Sequence, residues 1–128
     1  MKKVYLAGLF SEYADWKSEI KKVEGFEFFD PEIHSNQSSP NTFFPDDLAA
    51  VKSSDILIAY PGLAPCEGTW IEVGYFLANS TKRPSDFCRE LIIIWQKDRL
   101  DWSMEFVKKA GVIVGSIDEA VNYLKELA

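Results

Sequence analysis

The segment Gly68-Thr69-Trp70-Ile71-Glu72-Val73-Gly74-Tyr75 sets one acid among apolar neighbours. Read as the opening of a helix, it puts Glu72 in the first turn, flanked by Trp70, Ile71, Val73 and Tyr75, so its carboxylate is expected to be partly buried. The positive end of the helix dipole would help hold that carboxylate ionised. An ionised, poorly hydrated carboxylate beside a cleft suits nucleophilic attack at a sugar carbon. The same spacing also reads as a capping box, S/T-x-x-E, in which Glu72 would bond back to the Thr69 amide. Ser116-x-x-Glu119 repeats the pattern at an ordinary helix start. On spacing alone the cap is the commoner outcome, and both readings stay open.

The other reactive residue types exclude more than they add. No G-x-G-x-x-G follows the first strand-like run, and there is no Walker A lysine loop. A receiver domain needs acids where this chain has Leu9-Phe10 and Tyr60-Pro61. His34 is the only histidine, and Cys66 and Cys88 lack paired ligand spacing, so no metal site is expected. A nucleophilic triad needs a histidine near Ser or Cys, whereas His34 falls in a polar stretch and reads as a solvated loop residue. With 14 Lys and Arg against 20 Asp and Glu, the net charge of −6 makes nucleic-acid polymers and anionic membranes poor partners. Apolar runs such as residues 91–95 are far too short to span a bilayer. Lys2 and Lys3 lead straight into a strand-like run with no signal-peptide pattern, and two cysteines make no disulfide framework. A cytoplasmic domain is expected.

Strand and helix patterns alternate along the 128 residues, which suit one domain over 1–128. Strands are predicted at 4–8, 26–29, 55–60, 90–95 and 112–114. Helices are predicted at 11–23, with Ser11 as N-cap and Tyr13, Trp16, Ile20 and Val23 at helical spacing, and at 43–53, 69–79 and 118–127. Gly25 should stop the first helix, and residues 32–42 read as a long polar loop. This alternation predicts an α/β fold: a flavodoxin-like, doubly wound, five-stranded parallel sheet of order 2-1-3-4-5, with helices on both faces. Ligands bind such sheets at the carboxyl ends of the strands, here the positions after Gly8, Phe29, Tyr60 and Trp95.

Four segments then carry a resemblance. They are Val4-Tyr5-Leu6-Ala7-Gly8-Leu9-Phe10; Phe29-Asp30-Pro31; Asp47-Leu48 followed by Ser54-Asp55-Ile56-Leu57-Ile58-Ala59-Tyr60; and Gly68-Thr69 with Glu72-Val73-Gly74-Tyr75. In that order they resemble the nucleoside 2-deoxyribosyltransferase family, including its related deoxynucleotide N-glycosidases. The family's marks are a YLAGPF opening and the signatures D-L-x-x-[IV]-x-x-[SA]-D and G-T-x-x-E-[IL]-G-[YA]. The resemblance runs from Lys3 to about Ser80 and weakens through Ser103 to the end.

The resemblance implies that Glu72 attacks C1′ of a 2-deoxyribose, with a covalent intermediate and retained configuration. It implies that Tyr5 orients Glu72 and that Asp47, rather than its neighbour Asp46, handles the base and helps protonate it. Phe10 would wall the nucleoside, Gly8 would let the backbone approach, and Asp30 and Gly68 would line the substrate. Ser103 would lie where a neighbouring protomer completes the site of a homo-oligomer. The partners implied are a small-molecule nucleoside or nucleotide and a free nucleobase, with no metal and no organic cofactor. By residue type alone Tyr5 is equally a strand-packing residue, Asp47 a solvated helix-start charge and Ser103 an ordinary N-cap.

Two departures bear on substrate. Family members often carry an aspartate shortly before the glycine of the G-T-x-x-E signature, and this chain has Cys66-Glu67 there. After strand one, Glu12 and Asp15 would repel a phosphate, which tilts the expectation toward a nucleoside. Transfer to a base, hydrolysis of deoxynucleosides or their 5′-monophosphates, and a non-catalytic nucleotide-binding domain are the three outcomes left by the sequence.

Overall fold

The computed structural model describes residues 1–10, 12, 14–62, 66–81, 90–96, 108 and 111–128. The β-branched and aromatic runs form β1 (Lys2–Gly8), β2 (Phe26–Phe29), β3 (Ile56–Tyr60), β4 (Glu90–Ile94) and β5 (Val112–Val114). They pair in parallel in the order β2-β1-β3-β4-β5, the predicted flavodoxin-like arrangement. Between them lie α1 (Lys17–Lys21), α2 (Pro31–His34), α3 (Pro40–Ser53), α4 (Glu67–Thr81) and α5 (Ile117–Glu126). Among the described residues no helix is long and apolar enough to cross a membrane.

Successive strand side chains point to opposite faces, so each central strand feeds two cores. Val4 and Leu6 of β1 join Ile58 and Ile92 in packing against Trp16, Ile20, Ala120 and Leu124, which places α1 and α5 on one face. Tyr5 and Ala7 join Leu57, Ala59 and Ile93 against Ala50, Val51, Val73 and Phe76, which places α3 and α4 on the other. Both faces of β3 and β4 are therefore apolar, which is why their sequences run as unbroken hydrophobic stretches. Truncating a core side chain such as Ile58 or Ile92 to alanine would cost ~2–5 kcal/mol.

Three boundaries differ from expectation, each for a local reason. Within predicted helix 11–23, α1 covers only 17–21 of the described residues, and Ser11 and Tyr13 lie outside them. Trp16, the N-cap of α1, is drawn inward instead: its Nε1 donates to the Leu9 carbonyl at 2.8 Å and its ring stacks on Tyr60 at 5.4 Å. The predicted loop 32–42 contains α2 and the start of α3. Asp30 caps α2 by accepting from the Glu32 amide at 3.1 Å, with Pro31 at the first helical position, where a missing N–H costs nothing. At α3, Pro40 occupies that first position and Thr42 Oγ1 accepts from the Ser39 amide at 3.2 Å. Finally, α4 begins at Glu67, two residues before its predicted start at Thr69, and this shift decides the role of Glu72.

Candidate active site

Cys66 precedes α4. Its carbonyl accepts from the Trp70 amide at 3.2 Å, and its Sγ lies 3.1 Å from Thr69 Oγ1. Thr69 is thus buried inside the first turn and cannot serve as the N-cap, and Glu72 falls in the second turn. The capping-box reading of Thr69-x-x-Glu72 fails on this geometry. Glu72 Oε2 instead accepts a hydrogen bond from the hydroxyl of Tyr5. Tyr5 is fully buried on β1, and its ring stacks on Phe29, its partner in register on β2, at 5.5 Å and 11°.

The expectation that the helix dipole holds Glu72 ionised also needs correcting. Dipole effects fade beyond the first turn, and burial prevails over them. Burial, reinforced by the charge of Asp47, pushes the Glu72 carboxyl up to about 7 against the opposing influence of the Tyr5 bond and the Lys17 charge. Tyr5 is driven far above its ordinary range, first by burial and then by the charge of Glu72, so it stays a protonated donor. Oε1 of Glu72 takes no hydrogen bond from the described residues.

Asp47 arrives from α3, which packs beside α4 and β1. Its Oδ1 accepts from the hydroxyl of the buried Ser35. Burial raises the Asp47 carboxyl and Asp46 adds to the rise, while the Ser35 bond and Lys17 oppose it. Asp46 has a separate task, accepting from the Asn36 amide at 3.2 Å. Of the two, Asp47 is the one whose charge is felt at Glu72 and Tyr5.

The remaining predicted site residues divide. Gly8 ends β1 with φ +145°, and a Cβ there would sit 2.2 Å from the Tyr60 carbonyl oxygen, so the backbone it admits closely is that of β3. Phe10 follows half-buried, with Lys17 Nζ 5.4 Å from its ring centroid. Gly68 is exposed in the first turn of α4 with open space where a Cβ would be, and Glu67 beside it is exposed too. Asp30 is buried, and both its oxygens are engaged, Oδ1 by Lys17 at 2.6 Å and the Glu32 amide, Oδ2 by Lys21 at 2.5 Å. Burial alone would raise its carboxyl, but the two lysines outweigh it and hold Asp30 below the usual range. Asp55 ties the start of β3 to β1, its Oδ2 accepting from the Lys3 amide at 2.9 Å. Ser103 lies outside the described residues.

Sequence reasoning missed Lys17, Ser35 and the binding of His34. His34 Nδ1 accepts from the Asp30 amide at 2.9 Å and its ring lies 5.4 Å from Phe29, so the exposed imidazole is anchored rather than free in solution. Lys17 and Lys21 had a signal: like charges four apart on a helix repel, and an anion between them removes the cost. Ser35 had none. Among the described residues no group of three or more His, Cys, Asp or Glu is arranged to hold a metal ion.

These features define a doubly wound α/β protein with a buried hydroxyl–carboxyl pair and a second carboxyl at the carboxyl edge of its sheet. No protein-family model and no curated protein sequence matches the chain. Solved structures do. The CMP N-glycosidase BcmB of Clostridium botulinum is similar with TM-score 0.66 and 23% identity, over 96% of this chain and 98% of that one. The solution structure of BlsM is similar with TM-score 0.68 and 18% identity, over 98% and 88%. A 2-deoxyribosyltransferase from Leishmania mexicana is similar with TM-score 0.56 and 19% identity, over 88% and 73%. At such identities the likeness establishes the fold alone, a five-stranded parallel sheet between helices.

Proposed function

We propose that the protein cleaves the N-glycosidic bond of a 2′-deoxynucleoside and passes the sugar to a second nucleobase. The observation that carries this reading is the bond from the buried Tyr5 hydroxyl to Oε2 of Glu72, which leaves Oε1 without a hydrogen bond among the described residues, in a site where the charge of Asp47 is felt. Oε1 attacks C1′ as the C1′–N bond breaks, and the departing base keeps the electron pair and takes a proton from Asp47. The sugar is then an ester of Glu72. An acceptor base attacks C1′ from the side the first base left, the bond to Glu72 breaks and the acceptor's proton passes to Asp47. Two inversions give retention.

The electrostatics support this division of labour. The charge of Asp47 raises the proton affinity of Glu72, while burial and Asp46 raise that of Asp47, and the reactive arrangement has Glu72 ionised and the proton on Asp47. The Tyr5 bond favours charge on Glu72. Partial burial leaves that charge poorly hydrated and therefore nucleophilic.

Hydrolysis by the same covalent route is the second reading, favoured by near-complete two-way coverage against the CMP N-glycosidase. Incubation with deoxynucleosides or their monophosphates, with and without a free base, separates the two. A new nucleoside formed only with acceptor base, and absent in Glu72→Ala, means transfer. Free base alone means hydrolysis. A folded protein with no turnover of any donor would overturn both and leave a non-catalytic binding domain.

A further inference from the structure

The two carboxyls of the site are held alike. Glu72 has one oxygen, Oε2, bonded by a hydroxyl, and the other takes no hydrogen bond from the described residues. Asp47 has one oxygen, Oδ1, bonded by the Ser35 hydroxyl, and Oδ2 takes no hydrogen bond from the described residues. We propose that Ser35 is the positioning residue for Asp47, as Tyr5 is for Glu72: it occupies Oδ1 and leaves Oδ2 to carry the proton toward the departing base. This rests on the roles assigned to Glu72 and Asp47 above.

The chain around Ser35 is built to fix it. Lys17 and Lys21 clamp Asp30, and Asp30 caps α2. The last turn of α2 delivers Ser35, whose amide donates to the Pro31 carbonyl at 3.2 Å. Gln37 Nε2 donates to that same carbonyl at 2.9 Å, and the Asn36 amide donates to Asp46 at 3.2 Å. A serine that merely filled space would need none of these ties. An oxygen that accepts from Ser35 is a poor place for a proton, so the acidic hydrogen is confined to Oδ2. The effect is geometric and adds to that of the titratable and charged groups facing Asp47, which are Asp46 on its own helix, Glu72 on α4, the neutral Tyr5 on β1 and Lys17 on α1.

The test compares two leaving groups. With a natural deoxynucleoside, whose base needs a proton, Ser35→Ala should lower kcat/KM by ~10-fold or more. With 4-nitrophenyl 2-deoxyriboside, whose phenolate leaves unaided, the same variant should be unchanged. Ser35→Thr, which keeps the hydroxyl, should restore the natural reaction, and Ser38→Ala in the same loop should behave as wild type. Equal losses on both substrates would overturn the proposal, because a loosened site would affect every substrate. Independently of turnover, the Asp47 carboxyl followed by 13C NMR should titrate higher in Ser35→Ala and as wild type in Ser35→Thr. An unshifted titration in Ser35→Ala would also overturn it. A wild type that turns over neither substrate counts against the proposed reaction, while the titration still decides about Ser35.

Discussion

Thr69-x-x-Glu72 and Ser116-x-x-Glu119 share one spacing of a hydroxyl residue and a glutamate, yet they end in different surroundings. At α5, Ser116 is the N-cap, its hydroxyl accepting from the Glu119 amide at 3.1 Å, and Glu119 reaches back to the Gly115 amide at 2.8 Å. The Glu119 amide is an orphan donor of the helix start, the Gly115 amide lies just before the cap, and the exposed carboxylate keeps its water. At α4 the helix starts at Glu67, Cys66 partners Thr69, and Glu72 is turned under the sheet edge to meet Tyr5. Two residues of difference in helix start rotate the acid from the first turn into the second. An exposed capping carboxylate becomes a half-buried one whose proton affinity rises to about 7. Spacing motifs therefore carry meaning only once the helix boundary is known.

The sharpest way to break this contrast is to neutralise each acid. Glu72→Gln should abolish turnover, by ~10⁴–10⁶-fold if Glu72 is the nucleophile, with the fold intact by circular dichroism. Glu119→Gln should leave turnover unchanged. Equal activity in the two variants would erase the distinction.

Tyr5→Phe comes next. It should lower kcat/KM by ~10–100-fold, since a hydrogen bond to a charged group is lost. It should also move the acidic limb of the pH–rate profile above its wild-type position near 7, because the Tyr5 bond is one of the forces holding the Glu72 carboxyl down. A limb that stays in place would show that Glu72 does not set it.

Stability sharpens the comparison in the opposite sense. The folded protein holds the Glu72 proton up to about 7 from an ordinary value of 4.5. Between those values the native state keeps a proton that the unfolded chain has released, so stability contributed at this site falls as pH rises through the window. Glu72→Gln should therefore be more favourable at pH 8 than at pH 4, by up to roughly 3 kcal/mol in urea unfolding. The smallest effect belongs to the true cap: Ser116→Ala should cost ~1 kcal/mol, with catalysis untouched.

Much of the architecture was legible because hydrophobic periodicity is local. The residues of β1, β3 and β4 announce themselves as buried strands, and their alternation with helical stretches leaves few topologies open. The helix boundaries were less legible. Short polar stretches such as 30–42 fold through side-chain caps by Asp30 and Thr42, and such caps compete closely with turns. Of the site, Glu72 stands out by its apolar setting, Tyr5 and Asp47 come through the resemblance, and the fold bonds Tyr5 to Glu72 where the charge of Asp47 is felt. Asp30 was named too, but its oxygens are taken up by Lys17, Lys21 and α2. Ser35 went unnoticed because a serine in a polar stretch looks like every other serine until α3 comes alongside.

The sequence by itself determined the parallel sheet and its order, the two apolar faces, and the presence of one acid in an apolar helix. Those properties follow from residue types at fixed local periods. Only the tertiary structure decided that this acid meets Tyr5 rather than its own helix amide, and that Ser35 meets Asp47. Tyr5 and Glu72 lie 67 residues apart, and Ser35 and Asp47 lie 12 apart. Bonds across such separations form only after the sheet has paired and the helices have packed, when burial has made leaving either partner unsatisfied costly.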